Sequence, residues 1–378
     1  MILLTDIIFV KTDPIVNQSS IRAEQIVRSL RKKYSVLALG WNRGEGIPNK
    51  LDNGNGQNLL QVFNLKAPYG CTFRYVSILP LFWAWVFIQL CIHRPTSIHA
   101  FNLDTIVPCF VYKILFRNKL VFDMHDRYAM AFIPWNKGFF YKKLHIIVNL
   151  IEERLANKAD VLISVYDKMF STLKKRPKKC ITIMACPEDR IINRSKAVTR
   201  SFRILFTGHV RVGRGLEILL KILEDIKDTE LLVVGRVENK KLLKKICEAS
   251  NCNYIGLLDH THLLDLEMSS DAIIALYDSN LQTQHEYGMA NKILEAMMCG
   301  LPVITNIAHE IINETQCGIL VHYDNINQIK QAIIALRDDP EFRARIGNNG
   351  RRAFLEKYNW HTMEKKLFKM YDSLFSQV

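Results

Sequence analysis

The stretch that most constrains this chain is His285–Asn306, HEYGMANKILEAMMCGLPVITN, which spells a helix, a stop and a strand in direct succession. Lys292–Cys299 holds strong helix formers and no breaker. Asn291 before it is a good N-cap, because its side chain can accept a bond from an orphan amide of the next turn. Gly300 is the left-handed stop, and Pro302 keeps the helix from resuming. Val303–Thr305 then reads as a buried strand. A helix amino end therefore lies open after a loop, with a strand directly behind the helix, as α/β folds require.

An open helix amino end offers unpaired N–H groups and the positive end of the helix dipole. That suits a phosphate, and Lys292 adds a full charge there. Glu295 follows one turn further in, roughly 5–6 Å along the axis. That offset matches the step from a nucleotide's diphosphate to its ribose, whose two hydroxyls one carboxylate can accept. An ordinary capped surface helix with a solvated Glu295 fits the same spacing, and the residues alone leave both readings open.

The chain's 378 residues suit two domains with real cores. Nine Cys occur without a Cys-x-x-Cys pair or a Cys/His cluster at zinc spacing, so free thiols in a reducing cytoplasm are expected. The opening MILLTDIIFVKTD reads as a buried strand and lacks the basic region of a secretion signal. Charge is unevenly spread: residues 1–190 hold 27 Lys/Arg against 14 Asp/Glu, whereas residues 191–378 hold 24 against 23. The basic first half favours an anionic partner, a membrane surface or nucleic acid, and it also fits a merely soluble basic face.

Ile7–Val10, a helix over Ile21–Tyr34 and Val36–Leu39 form a β-α-β opening. No G-x-G-x-x-G follows the first strand, which disfavours a nicotinamide-dinucleotide site. Asn42–Asn58, rich in Asn and Gly, reads as one long flexible loop. Val76–His93 is strongly apolar and interrupted by Pro80; a buried helix, a helix on a bilayer surface and a membrane span all fit it. Ser97–Phe101, a helix over Thr105–Phe116 and the strand Leu120–Asp123 follow. That strand ends in FDMHDRY, and strand ends are where open α/β sheets hold ligands. His125 there can donate to a sugar hydroxyl or phosphate oxygen, and Asp126 can orient it or bind acceptor hydroxyls; His125 capping the next helix is the alternative. Trp135, Phe139, Phe140 and Tyr141 alternate with Lys137, Lys142 and Lys143, which suits a membrane interface. No DNA or RNA motif accompanies them, so nucleic acid is not expected as a partner. A second β-α series runs through Arg203–Thr207, Leu231–Val234, Tyr254–Gly256 and Ser270–Tyr277, and its first strand leads into GHVRVGRG.

NKILEAMMCGLPVIT resembles the nucleotide-sugar helix of glycosyltransferase family 4, through Glu295, Ala296, Met297, Gly300, Pro302, Val303 and Ile304; Asn291-Lys292 resembles that family's Asn-Lys subgroup. His125 and Asp126 match its Asp-x-His-Glu/Asp run, and Gly208-His209 with Arg214-Gly215 stand where it has Gly-Arg and Lys-Gly. The resemblance implies a GT-B fold: two Rossmann-like doubly wound domains facing a central cleft, with a last helix crossing back. The expected parts are residues 1–190 (acceptor and membrane side), 201–358 (nucleotide sugar) and 359–378 (the returning helix). It implies that Arg214 and Lys292 clamp the donor diphosphate and that Glu295 holds ribose. Gly208, His209, Asn291 and Ile293 would line the donor, and Gly235, Arg236 and Leu258 would lie near the base. Glu286 would reach the sugar, although Tyr287 occupies the family's usual Glu position. The resemblance implies a retaining transferase, and the lack of an Asp-x-Asp disfavours a metal-held diphosphate, so no metal or cofactor is expected. Its expected partners are a UDP or GDP sugar, a glycan or lipid-linked acceptor and an anionic membrane surface, on the cytoplasmic side. A non-catalytic nucleotide-sugar binder and a GT-B epimerase are the alternatives.

Overall fold

The computed structural model describes residues 5–12, 21–44, 50–52, 58–68, 73–133, 138–191, 201–278 and 291–376. Strands of β-branched and aromatic residues alternate with helices throughout, and the chain divides into two units, 1–185 with 364–378, and 186–363.

In the first unit the elements are β1 (Ile7–Val10), α1 (Ile21–Arg31), β2 (Val36–Asn42), β3 (Lys50–Asp52), β4 (Asn58–Asn64), α2 (Phe73–His93) and β5 (Ser97–Phe101). There follow α3 (Leu103–Phe116), β6 (Lys119–Met124), α4 (Tyr128–Phe132), α5 (Phe139–Lys158), β7 (Val161–Ser164), α6 (Lys168–Ser171) and β8 (Cys180–Thr182). The strands lie in the order β3-β4-β2-β1-β5-β6-β7-β8, parallel except for the β3–β4 pair. The stretch expected as one loop over Asn42–Asn58 thus contains β3 and the start of β4, which extends the sheet beside β2. Asn and Gly hid a strand whose apolar positions are Leu60 and Val62, both buried against Ala38.

The connections β4–α2–β5, β5–α3–β6 and β6–α5–β7 run in one direction along the sheet, while β1–α1–β2 runs the other way. Right-handed crossovers therefore put α2, α3 and α5 on one face and α1 on the other. α2 runs through Pro80 unbroken, as the helical readings of Val76–His93 expected. Tyr75, Leu79, Phe82, Val86 and Leu90 form a buried stripe on it. At about 1.5–3 kcal/mol for each fully buried large side chain, the stripe outweighs the roughly 3 kcal/mol that an interior proline costs.

The second unit runs β9 (Phe202–Thr207), α7 (Leu216–Glu224), β10 (Thr229–Val234), α8 (Lys240–Glu248), β11 (Cys252–Gly256), α9 (His260–Met268) and β12 (Ala272–Ala275). It continues with α10 (Asn291–Cys299), β13 (Val303–Thr305), α11 (His309–Thr315), β14 (Gly318–Leu320), α12 (Ile326–Asp338) and α13 (Pro340–Glu356). Its sheet is parallel in the order β11-β10-β9-β12-β13-β14, the Rossmann arrangement. The helix, stop and strand read at 292–305 are all present, with Gly300 at φ 66°. The helix begins at Asn291 itself, so Asn291 is its first residue and not its cap.

The last helix, α14 (Trp360–Phe375), starts in the second unit, and from Glu364 onward it belongs to the first. There Ser29 Oγ on α1 donates to Glu364 at 2.6 Å, and Tyr371 packs on Tyr34.

Candidate active site

A doubly wound sheet binds ligands where its strand order reverses, outside the carboxyl ends of the strands on either side. In the second unit that point lies between β9 and β12. Thr207 ends β9, and Gly208 and Gly235 then pass one another so closely that a Cβ on Gly235 would sit 1.7 Å from the Gly208 carbonyl oxygen. Only glycine fits at 235, and the crossing leaves bare backbone at the mouth of the site. Beyond β12, the Tyr277 backbone is clamped by Asn306, which donates to its carbonyl at 2.8 Å and accepts from its N–H at 2.9 Å.

Two cations occupy this point. Lys292, in the first turn of α10, is only 9% exposed. Its Nζ donates to the Thr207 carbonyl, lies 4.8 Å from the Phe206 ring centroid and stands at the Gly208 turn. The Arg214 guanidinium lies 4.5 Å from the Tyr277 ring centroid, and its buried Nε has no partner. Among the described residues no carboxylate pairs with either cation. Burial, then the nearby Arg214 charge, push Lys292 down to about 7, with Glu295 pulling the other way. Burial likewise lowers Arg214. A buried Lys292 and a half-buried Arg214, neither paired with a described carboxylate, thus stand together at the start of α10, an arrangement with the chemistry to receive an anion.

Glu295 lies one turn into α10, half-buried. Beside it the structure adds a residue the sequence reading missed, Glu267 on α9. It is 2% exposed, and its Oε1 has no hydrogen-bond partner. Burial, then the Glu295 charge, raise Glu267 to about 8, so it is a neutral acid at pH 7. The one signal in the sequence was its spacing three residues after the buried Leu264, which puts both on one helix face.

The remaining donor-side candidates divide by position. Ile293 is fully buried, so only its backbone can serve a ligand. Asn291 is exposed at the helix start. His209 is exposed and bonds Glu238 through Nδ1, and that contact holds Glu238 below the usual carboxylate range. Arg236 is exposed, Leu258 half-buried, and Asp259 caps α9 by accepting from the Thr261 and His262 amides. Glu286 and Tyr287 lie outside the described residues, as do Trp135 and Lys137.

His125 and Asp126 lie in the first unit, just past the end of β6. Their backbone amides donate to Asn102 Oδ1 at 3.0 and 3.3 Å. The His125 ring stacks on Phe101, and its buried Nδ1 has no partner. Burial lowers its pKa, opposed by Asp126, so the ring is neutral at pH 7. It does not cap α4, whose N-cap position is Arg127. Beneath it, Tyr371 bonds His99 Nδ1 at 2.8 Å, and His99 Nε2 and Arg22 Nη1 meet Asp123 at 3.1 and 2.9 Å.

Residues 201–339 match the family model described as "Glycosyl transferases group 1". The match takes in β9, Gly208, Arg214, Lys292 and Glu295, so the cationic site lies inside the group 1 domain. The chain is 24% identical over 297 residues to an uncharacterized glycosyltransferase of Methanocaldococcus jannaschii, covering 74% of this chain and 73% of that one. Its structure superposes on sucrose-phosphate synthase from Thermosynechococcus elongatus with a TM-score of 0.77 at 16% identity, covering 99% and 100% of the two chains. The Anabaena protein HepE, solved with UDP and glucose, gives 0.72 at 16% identity over 98% and 100%. These likenesses show the GT-B fold, with two Rossmann-like domains. Glycosyltransferase is the coarse activity class of the chain.

Proposed function

We propose that the protein is a retaining, metal-independent transferase of glycan biosynthesis. It moves a hexosyl group from a UDP or GDP sugar to a hydroxyl of a glycan or lipid-linked acceptor, on the cytoplasmic side of a membrane. The observation that carries this reading is the pair of cations at the β9/β12 reversal, buried Lys292 and half-buried Arg214, neither paired with a carboxylate among the described residues. As the donor C1–O bond breaks, negative charge gathers on the diphosphate. Preorganised cations and helix N–H groups stabilise that charge more strongly than they stabilise the ground state. The acceptor oxygen bonds to C1, and its proton passes to the leaving phosphate. Glu295 receives the ribose hydroxyls, while neutral Glu267 adds no second charge beside it. His125 and Asp126 serve the acceptor side, where a neutral imidazole donates to a hydroxyl. The solved relative holding UDP and glucose supports a donor of that chemistry.

Turnover of a UDP, GDP and ADP sugar panel in EDTA, for wild type beside Glu295→Ala, tests the proposal. One donor turned over by wild type and lost in the variant, with the anomeric configuration kept in the product, is the expected result. Saturable binding without turnover, with lipid extract supplied as acceptor, would make the protein a nucleotide-sugar binder.

A further inference from the structure

Among the described residues, 22 large apolar side chains are exposed, and 17 of them lie on α2, α3, α4 and α5. The second unit, of similar size, exposes four. On α5, Phe139 and Phe140 are 73% and 72% exposed, with the Lys143 ammonium over the Phe139 ring at 4.5 Å. On α3, Ile114 and Leu115 point outward, and on α2 so do Phe73 and Ile88.

Apolar exposure alone does not choose an occupant; the charges around it do. No Asp or Glu among the described residues of 73–160 is exposed. Asp104, Asp123, Glu152 and Glu153 are buried, Asp126 is half-buried, and half-buried Asp160 is paired with Lys113. The exposed charges of that stretch are all cationic: Arg74, Arg117, Lys142, Lys143, Arg154 and Lys158 carry most of them. A second copy of this chain would bring the same face, apolar and positive, and two such faces repel. A bilayer bearing anionic headgroups offers the missing negative charge and an apolar layer beneath it, with aromatic rings at headgroup depth.

We propose that the α2–α3–α5 layer of the first unit is a docking surface for an anionic lipid bilayer, entered by the aromatic amino end of α5. α2 is 21 residues long, with only 22% of its apolar window buried. It lies along the bilayer and does not cross it, because its inner stripe is committed to the sheet of the first unit. The face is independent of the group 1 domain, so the docking inference and the transfer reading fail separately.

Co-sedimentation of the full chain with phosphatidylcholine vesicles, with and without phosphatidylglycerol, tests it. Donor turnover in solution is followed alongside, and thermal melting confirms that each variant folds. Binding to the phosphatidylglycerol vesicles alone, weakened by salt, is expected. Lys142→Glu with Lys143→Glu should weaken it by more than about tenfold. Phe139→Glu with Phe140→Glu should do the same, while Leu355→Glu on the second unit leaves it unchanged. Turnover that survives while vesicle binding is lost would separate the docking face from the chemistry. Absence of vesicle binding by wild type overturns the proposal, as does binding that both double variants leave intact. A solution dimer that Phe139→Glu with Phe140→Glu disperses would also overturn it, by giving the face to a second copy.

Discussion

In the first unit the most deeply buried cation among the described residues, Arg22, is answered by Asp123 at 2.9 Å, which His99 also contacts. In the second unit the cations at the strand reversal are buried Lys292 and half-buried Arg214, and no described carboxylate pairs with either. Both units are doubly wound parallel sheets, so the plan of the strands does not account for the difference. A buried charge must be paired or left costly. The first unit spends its charges on holding its own elements together, including the last helix through Tyr371. The second leaves these two cations without such a pair among the described residues, and the proposed donor diphosphate would supply it. The exteriors differ in the opposite sense: the first unit leaves an apolar, basic helical face uncovered, and the second does not.

If the Arg22–Asp123 pair is structural, Asp123→Ala should cost about 3–5 kcal/mol, because it strands a buried guanidinium. Chemical denaturation reads that loss, and donor affinity of the folded fraction should stay unchanged. The pair also sets an acid limit. Burial raises Asp123, but Arg22 and His99 overrule it and hold it at about 2, below its ordinary 3.8. Its contribution is therefore present above pH 4 and lost as pH falls from about 4 towards 2.

Lys292→Met keeps the buried volume and removes the charge. Turnover should fall by about 10²–10³, as when one preorganised donor to a developing anion is removed. The fold should persist, since no described carboxylate pairs with this charge and the buried volume is kept.

The pH dependence sharpens the same contrast. Lys292 sits at about 7 in the folded chain against 10.5 as its ordinary value, so between those limits the unfolded state binds more protons. Its charged form opposes folding most below pH 7, and that cost fades as pH rises to 10.5. A diphosphate favours the charged form. Donor binding above pH 7 should therefore take up a proton, and affinity should fall by up to about tenfold per pH unit. Titration calorimetry in buffers of different ionisation enthalpy measures both effects, and Lys292→Met should abolish them.

The smallest effect is expected at Glu267. Its folded value of about 8 lies above the ordinary 4.5, so its cost to stability grows as pH rises from 4.5 to 8 and is small below. Glu267→Gln should stabilise the chain by about 2 kcal/mol at pH 8 and hardly at all at pH 5. Melting curves at the two pH values would show it.

The alternation of strands and helices was legible because strand and helix periods differ, and Gly300 with Pro302 marked a stop that no helix crosses. Loop-like composition concealed β3, since Asn and Gly carry no apolar period. The helix over Val76–His93 was legible despite Pro80, but which of its sides is buried was not. Lys292, Arg214 and Glu295 were legible from a resemblance to a known motif and from their place near a helix start. Their burial, the lowered Lys292 and the partner Glu267 were not, because desolvation comes from elements distant in sequence. Nor could the sequence show that the aromatic and basic residues of α5 share a face with the outer sides of α2 and α3.

The central claim is that the cations of the second unit exist for a nucleotide diphosphate. Calorimetric titration of wild type and Lys292→Met with UDP- and GDP-glucose, at pH 6.5 and 8.5, tests it most directly. The account predicts binding of one donor by wild type, tighter at pH 6.5, with proton uptake at pH 8.5, and at least about tenfold weaker binding without pH dependence in the variant. Binding of equal strength in both proteins at both pH values, or no binding of either nucleotide sugar by wild type, would contradict it.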